Sequence, residues 1–355
     1  MDSEPKPNLL DLSREQLADL LKAWGQPAFR AKQIHRHLHL NLAARFDEMT
    51  DLPKALRERL NAETTIGSLQ QAVVHAGDAG MTRKALFKLR DGSPVETVLM
   101  VYPDRATVCV SSQSGCPMAC VFCATGKLGF LHDLTRGEIV EQVYWAARQL
   151  REPQFENRRL TNVVFMGMGE PFNNYTNWRA AVEILHDPEG FNLGARSYTV
   201  STVGLVPGIR KLAEDPLPIN LAISLHAPDD ETRTAMMPVN KRFPIADLLE
   251  AVRDYTEKTN RRVSFEYVLL QEKNDFPEQA DRLGQLLRAS GIRPAVMHVN
   301  LIPWNPVPGT PLGRSHRKRV LAFQEGLLKH AVPCTVRVER GIDIGAACGQ
   351  LAGTA

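Results

Sequence analysis

Three cysteines lie within eight residues of one another, at Cys116, Cys120 and Cys123, with the spacing C-x3-C-x2-C. Three thiolates can hold three irons of a cubane cluster and leave the fourth iron open to bind a substrate. A structural zinc site needs four protein ligands, and no fourth ligand with zinc-like spacing lies nearby. The spacing therefore favours a 4Fe-4S cluster over a zinc loop.

Short β-rich runs alternate with helical periodicities from Thr107 onward, so the cysteine loop follows the first of these runs. The predicted strands are 107–112, 162–166, 197–201, 219–225, 263–270 and 296–302, with a final one at 334–339. The clearest predicted helices are 135–150, 178–186, 248–258, 278–289 and 315–330. Six such units without a Rossmann glycine signature predict an α/β fold with a partial (β/α)6 barrel, whose active site lies at the carboxyl ends of the strands.

The first 64 residues are predicted to form a separate helical domain. Ser13 and Gln16 make a capping box for the first helix, a second helix follows Pro27, and a third begins at Pro53. The second helix carries basic residues, which suit either a solvated face or an RNA contact, and the residues alone favour the solvated face: Arg30, Lys32 and Arg36. We expect a helical domain at 1–64, a β-rich connector at 65–106, a barrel core at 107–330 and a C-terminal strand and loop at 331–355.

Composition limits the class of protein. Of the 355 residues, 43% are hydrophobic and 23% are charged, which is typical of a globular chain and excludes disordered and fibrous classes. The net charge of +3 does not by itself indicate a nucleic-acid binder. The sequence contains no apolar run of membrane-spanning length and begins with a polar segment, so we expect a protein of the cytoplasm with no membrane association.

The cysteine loop and the segments around it resemble the radical S-adenosylmethionine (radical SAM) superfamily and, within it, the RlmN/Cfr family of RNA adenine methyltransferases. The resemblance runs from Gln26 to Leu351. The segments that carry it are 109–116, 165–171, 200–204, 223–228 and 341–351, together with the cluster loop 116–123.

The resemblance implies that the open iron binds SAM and that strand ends surround this cofactor. Gly169 and Glu170 would receive its amino group, since carbonyl and carboxylate oxygens suit a cation. Ser201, Asn305 and the Ser224, Leu225 and His226 run would surround its ribose, carboxylate and adenine. From the residues alone, an isolated histidine is usually structural, but its place at a strand end favours the functional interpretation of His226.

Two distant cysteines gain roles from the same resemblance. Cys348 would accept a methyl group from one SAM, and a second SAM would be cleaved to a radical that abstracts hydrogen from this methyl. The resulting carbon would add to adenine. Cys109 would release the product by forming a disulfide, and Glu96 would be the proton acceptor.

The implied activity is methylation of carbon 2 of adenosine in 23S ribosomal RNA and in tRNA, with two SAM per turnover. A Cfr-type enzyme acting on carbon 8 is the nearest alternative, and a non-catalytic RNA-binding protein with a zinc loop is another. The implied partners are the two RNAs and an electron donor such as flavodoxin, with the enzyme acting as a monomer. The segment 129–134 departs from the family pattern, since it loses a basic residue and gains Asp133.

Overall fold

The computed structural model of the chain describes residues 6–353. The strands are β1 (Gln70–Gly77), β2 (Thr82–Lys88), β3 (Pro94–Val101), β4 (Ala106–Cys109), β5 (Gln113–Gly115), β6 (Phe130–Asp133), β7 (Asn162–Phe165), β8 (Tyr198–Thr202), β9 (Asn220–Ser224), β10 (Val263–Leu269), β11 (Met297–Pro303) and β12 (Cys334–Val336). The helices are α1 (Arg14–Ala23), α2 (Phe29–His39), α3 (Lys54–Glu63), α4 (Ala124–Leu128), α5 (Arg136–Gln149), α6 (Tyr175–His186), α7 (Val206–Ala213), α8 (Asp230–Met236), α9 (Ile245–Thr259), α10 (Pro277–Ala289) and α11 (Arg317–Lys329). None of the helices within residues 6–353 has the length and apolarity that a membrane span requires.

Ten strands form one open sheet in the order β1-β2-β3-β4-β7-β8-β9-β10-β11-β12. Strands β4 and β7 to β12 pair in parallel, whereas β1 to β4 pair antiparallel. Because β1 and β12 are both edges, the barrel is partial, as the alternation of strands and helices predicts. The segment predicted as a connector therefore continues the barrel sheet.

Side chains alternate between the helix layer and the barrel interior along each parallel strand. On β10, Phe265 and Tyr267 are fully buried in the main hydrophobic core beneath the helices. Between them Glu266 faces the other way and lines a cavity, as do Ser201 of β8 and Ser224 of β9. The interior of this barrel is therefore partly polar and open, in contrast to the packed apolar centre of a closed barrel.

The N-terminal helices pack on the barrel through a continuous apolar core. Leu17 and Leu21 of α1 and Ile34 of α2 belong to the same buried cluster as the barrel strands. The capping box at Ser13 is confirmed, since Gln16 N donates to Ser13 Oγ and Ser13 N donates to Gln16 Oε1. This predicted helical start therefore lies where the sequence indicates.

Two of the predicted strands are shorter than expected. The first ends at Cys109 because the amide of Ser111 donates to the side chain of Gln142 on α5, at 2.9 Å. The last ends at Val336, after which Arg337 lines the cavity. The hairpin of β5 and β6 and the short helices α4 and α8 are additions that the periodicity did not indicate.

Candidate active site

The carboxyl ends of the parallel strands surround a cavity of about 220 Å³. This is the end of the barrel at which the sequence predicts the active site. The predicted residues that line it are Cys109, Cys116, Cys120, Cys123, Gly169, Glu170, Ser201, Ser224, His226, Asn305 and Cys348. Leu225 and Glu96 are not among the lining residues, and the Leu225 side chain lies in the main core.

The cysteine loop is fixed to the barrel by its backbone. Cys116 N donates to Gly129 O at 2.7 Å, and Val121 N donates to Met236 O at 3.1 Å. The indole of Trp304 donates to Phe122 O at 3.0 Å. These bonds hold the loop at its first cysteine and again between the second and the third, so the three thiols have a defined position at the cavity wall.

Burial and repulsion between thiolates disfavour the charged forms of two loop thiols, Cys116 and Cys120. The pKa of Cys116 is raised to about 12, first by burial, and the pKa of Cys120 is also raised by burial, with Cys123 and Cys116 adding repulsion. Within residues 6–353, no three Cys, His, Asp or Glu side chains converge as ligands of a single metal ion. Thiolates of a cubane each bind a different iron, so three loop thiols at one cavity wall are a donor set that a cluster can use.

Gly169 and Glu170 follow β7 and are held by the hairpin strand β5. Gly169 has a φ of +96°, and a Cβ there would lie 2.5 Å from Gln113 Cβ, so a side chain cannot be accommodated. The Glu170 carboxylate accepts hydrogen bonds from Val203 N at 2.8 Å and Phe172 N at 3.1 Å. Burial nevertheless raises the pKa of Glu170 to about 7, which leaves a carboxyl poised to receive a cationic group.

His226 is held as a neutral imidazole at the end of β9. Its Nδ1 accepts from Val268 N at 3.0 Å, which leaves the ring proton on Nε2. Burial, followed by repulsion from Arg233, lowers the pKa of His226 to about 3. Its ring packs edge-on against Phe122 of the cysteine loop, with centroids 4.9 Å apart. His226 therefore has structural bonds as well as a place on the cavity wall.

The segment that carries Cys348 is bonded to the cysteine loop and to the end of β11. Ala124 N donates to Gly349 O at 2.8 Å, and Thr125 Oγ1 donates to Leu351 O at 2.7 Å. Asn305 Nδ2 donates to Cys348 O at 3.1 Å. These bonds bring Cys348 to the same cavity as the three loop cysteines.

Cys109 and Cys348 both interact electrostatically with the guanidinium of Arg337. Burial raises the pKa of Cys109 to about 12 and the pKa of Cys348 to about 11, although Cys348 is partly open to solvent at the cavity mouth. Arg337 lowers both values, and each of the two thiols raises the pKa of Arg337. The two cysteines, which are 239 positions apart in the numbering, are therefore neighbours of the same cation.

Glu96 lies on β3 behind the cavity wall and is fully buried. Its Oε1 is 2.8 Å from Lys84 Nζ, an ion pair without hydrogen-bond geometry, and its Oε2 accepts from Gly353 N at 2.9 Å. The carboxylate is thus engaged by β2 and by the C-terminal segment, and it is separated from the residues that line the cavity.

Known proteins share this arrangement over the whole chain. The Radical SAM superfamily model matches residues 110–283, and the model of the ribosomal RNA large subunit methyltransferase N-terminal domain matches residues 7–66. A probable dual-specificity RNA methyltransferase RlmN of Chloroflexus aurantiacus is 64% identical over 97% of this chain and 92% of its own length. The chain belongs to the RlmN family.

Other RlmN relatives and a solved structure agree with this. The probable dual-specificity RNA methyltransferase RlmN of Roseiflexus sp. is 58% identical over 99% of this chain and 98% of its own length. The crystal structure of a radical SAM methyltransferase from Sphaerobacter thermophilus has a TM-score of 0.94 and 48% identity, with coverage of 98% of this chain and 100% of that one. The protein is therefore a radical SAM RNA methyltransferase, and its family implies a 4Fe-4S cluster and SAM.

The donor set of this RlmN-family chain fits a cluster of that kind. Cys116, Cys120 and Cys123 would hold it, because they are the loop thiols at the cavity wall and their burial would be relieved by the positive charge of iron. Cys334 is outside the cavity lining, and its thiol contacts Gln324 O. It packs against the main hydrophobic core.

Sequence reasoning missed Arg233, which ties together two strand ends of the RlmN site. Its fully buried guanidinium donates to Val203 O at 2.6 Å, to Ser224 O at 3.1 Å and to Leu225 O at 3.1 Å. Leu225 therefore contributes through its backbone. No motif or spacing marked Arg233, because its bonds go to backbone carbonyl groups, which any residue type supplies.

The departure at Asp133 also has a structural explanation. Asp133 Oδ1 accepts from Gln113 Nε2 at 2.7 Å, and Gln113 Oε1 accepts from Glu170 N at 2.8 Å. The acid therefore supports the strand end at Glu170.

Proposed function

We propose that this enzyme methylates carbon 2 of adenosine in 23S ribosomal RNA and in tRNA, through an S-methylcysteine and a transient disulfide. The observation that carries the proposal is the meeting of five cysteines around one cavity, three from the loop together with Cys109 and Cys348. Three serve as cluster ligands, which leaves two thiols for covalent chemistry on the substrate. A binding protein with a zinc loop has no use for these two thiols.

The cavity wall binds and orients SAM. Glu170 and the backbone at Gly169 receive the amino group, and burial of the carboxyl strengthens its attraction for a cation. Ser201, Ser224, His226, Asn305 and the backbone of Leu225 hold the remaining polar groups. The cluster, when bound, supplies the electron for reductive cleavage of SAM.

Cys348 accepts a methyl group on Sγ and carries it to the base. Its main chain is held by Asn305 while its side chain lines the cavity, so the sulfur is aimed without being a cluster ligand. A hydrogen atom leaves this methyl group and its carbon bonds to carbon 2 of the adenine, so that Cys348 Sγ and the base are linked through that carbon. The Cys109 thiolate then attacks Cys348 Sγ, the bond from that sulfur to the product carbon breaks, and the two cysteines become a disulfide. The electron pair of the broken bond goes to the product carbon, which takes up a proton and becomes the methyl group. A thiol reductant reopens this disulfide for the next turnover.

Glu96 takes the proton that leaves the ring. Its carboxylate is engaged by Lys84 and by Gly353 N, so the C-terminal segment that contains Gly353 must move before the carboxylate can reach a base in the cavity. The proposed role therefore couples proton removal to opening of the C-terminal segment.

The helical N-terminal domain contributes RNA affinity, and the barrel contributes the chemistry. Lys32 and Arg36 are exposed on α2, while every residue assigned to the reaction lies at Glu96 or later. We further propose that the enzyme acts as a monomer in the cytoplasm and takes its electrons from a donor such as flavodoxin.

Mapping of RNA from strains with and without the gene tests the function. Nucleosides from purified 23S rRNA and tRNA are separated and identified by mass spectrometry against 2-methyladenosine and 8-methyladenosine standards. We expect 2-methyladenosine in both RNA classes, lost on deletion and restored by the wild-type gene. Loss of 8-methyladenosine instead would assign the Cfr-type reaction, and no change in either nucleoside would overturn the proposal.

A further inference from the structure

Glu266 presents a bare carboxylate oxygen to the cavity. The residue is 4% exposed, and its Oε1 accepts hydrogen bonds from Asn300 Nδ2 and Ser264 Oγ, both at 2.9 Å. Its Oε2 is buried and has no hydrogen-bond partner within the part of the chain that the structure describes. A buried charged oxygen without a donor is unfavourable, so this atom is suited to a donor that arrives with a ligand.

Arg337 stands beside this oxygen. Its Nη1 is 3.6 Å from Glu266 Oε2, which is an ion pair but too long for a hydrogen bond. Its side chain makes no other polar contact among residues 6–353, so its N–H groups are open to a ligand. An acceptor on β10 and a donor after β12 therefore lie side by side on one cavity wall.

We propose that Glu266 and Arg337 read the edge of the target adenine, with Glu266 accepting from the 6-amino group and Arg337 donating to N7. This inference rests on the proposed function, since it concerns the base on which that reaction occurs. Adenine presents an amino donor next to the N7 acceptor, and a neighbouring acceptor and donor in the protein match this pattern. Guanine and hypoxanthine carry an acceptor at position 6 and would meet the carboxylate oxygen unfavourably.

The N7 edge suits a reaction at carbon 2. Reading the amino group and N7 leaves the N1, C2 and N3 side of the ring free to face the thiols. The charge of Arg337 lowers the pKa of both Cys109 and Cys348. The proposed function places these two cysteines in the reaction with the target base. SAM also contains adenine, but the proposed function assigns its polar groups to the other strand ends, so the target base is the ligand that we assign here.

The variant Glu266→Gln gives a specific test. Because Asn300 donates to Oε1, the glutamine oxygen takes that position and its NH2 group takes the position of Oε2. An acceptor becomes a donor, so the site should then prefer inosine to adenosine. The measurement is the dissociation constant of the holoenzyme with a tRNA that carries adenosine, inosine or 7-deazaadenosine at the mapped target position.

Wild-type enzyme should bind the inosine and 7-deazaadenosine RNAs roughly 10- to 100-fold more weakly than the adenosine RNA, the range expected for one hydrogen bond to a charged group. Glu266→Gln should reduce or reverse the inosine penalty, and Arg337→Met should remove the 7-deazaadenosine penalty. The control Glu152→Gln alters an Arg–Glu pair outside the cavity and should keep both wild-type penalties.

Other outcomes overturn the inference without touching the proposed function. If wild-type enzyme methylates adenosine but binds all three RNAs equally, the pair does not read the base. If Glu266→Gln weakens the binding of SAM alone and leaves the RNA ratios unchanged, the carboxylate is a cofactor contact. Failure of the proposed function is distinct, because wild-type enzyme would then form no 2-methyladenosine.

Discussion

Asn305 Nδ2 donates a hydrogen bond to the backbone oxygen of Cys348 at 3.1 Å. A residue assigned to SAM therefore also holds the main chain of the cysteine assigned to receive the methyl group. Because the bond goes to the backbone, it does not depend on the thiol. The position of the C-terminal segment should consequently survive a change of the Cys348 side chain.

Protein produced in cells should carry a methyl group on Cys348. Mass spectrometry of the peptide that contains it should show one added methyl, and the Cys334 peptide should show none. Cys348→Ala should retain its iron, since Cys348 is not among the three proposed cluster ligands. Active enzyme with an unmodified Cys348 would contradict the assigned mechanism.

Replacing Cys116, Cys120 or Cys123 with alanine should abolish iron loading and SAM cleavage. A cubane with only two protein thiolates loses a third of its anchoring ligands, and the remaining thiols are buried. Iron and acid-labile sulfide are measured per chain. Cys334→Ala is the matched control and should load as wild type, whereas full occupancy in the triple alanine variant would exclude this loop as the cluster site.

Cys109→Ala should accumulate a covalent link between protein and RNA. Without the second thiol, the bond from Cys348 to the product carbon forms but is not broken. A denaturing gel with labelled RNA should show a shifted band that disappears in the Cys109→Ala, Cys348→Ala double variant. Normal turnover by Cys109→Ala would return this cysteine to a packing role.

Much of the fold was predictable because periodicity reports which residues are buried. The alternation on β10 and the capping boxes at Ser13 and Thr135 identify elements that local residues specify. The partial barrel follows from the order of these elements. Strand ends were less predictable, since bonds such as that from Ser111 N to Gln142 depend on distant side chains.

The residues of the candidate site likewise fall into those that the sequence predicts and those that it does not. The loop thiols were predictable from spacing, and Cys348 and Cys109 only from resemblance, because nothing local relates residues so far apart. Arg233 and the Glu266–Arg337 pair could not be found, since their partners are set by the register of strands that the sequence does not reveal. The predicted role of Glu96 stays a prediction.

The exposed cations of α2 should contribute to RNA affinity. His37 and His39 are buried and cannot touch RNA, and Arg30 bonds to Gln33, so Lys32 and Arg36 are the residues free to contact phosphate. Changing Arg30, Lys32 and Arg36 to glutamine should weaken binding and flatten the log–log salt dependence by about 0.7 to 0.9 for each phosphate that the helix no longer binds. SAM cleavage without RNA should continue.

The comparison variant for this measurement changes Arg210 and Lys258, which pair with glutamates on the outer helices of the barrel. It should bind RNA with the wild-type slope. An unchanged slope in the α2 variant at every salt concentration would show that this helix is merely solvated.

Acid should destabilise the N-terminal domain through His39. Its Nδ1 lies 2.6 Å from the hydroxyl of Tyr144, and burial lowers the pKa of His39 to about 3. Below pH 6.5 the unfolded chain binds a proton that the folded chain does not, so the free energy of unfolding falls by about 1.4 kcal/mol for each pH unit. Urea unfolding of wild type and His39→Asn at pH 7.5 and 5.5 measures this, and the variant should lose less stability on acidification.

The matched change is His316→Asn, since His316 is exposed and does not contact the domain core. It should keep the wild-type dependence on pH. Parallel curves for wild type and His39→Asn would show that His39 does not stay neutral in the folded protein.

The bond from Thr125 to Leu351 joins residues 226 positions apart. During translation the cysteine loop leaves the ribosome long before its C-terminal partners, and N-terminal parts of a chain fold first. The loop therefore emerges well before the segment that closes over it. We expect iron delivery to the loop to precede that closure, which comes only at the end of synthesis.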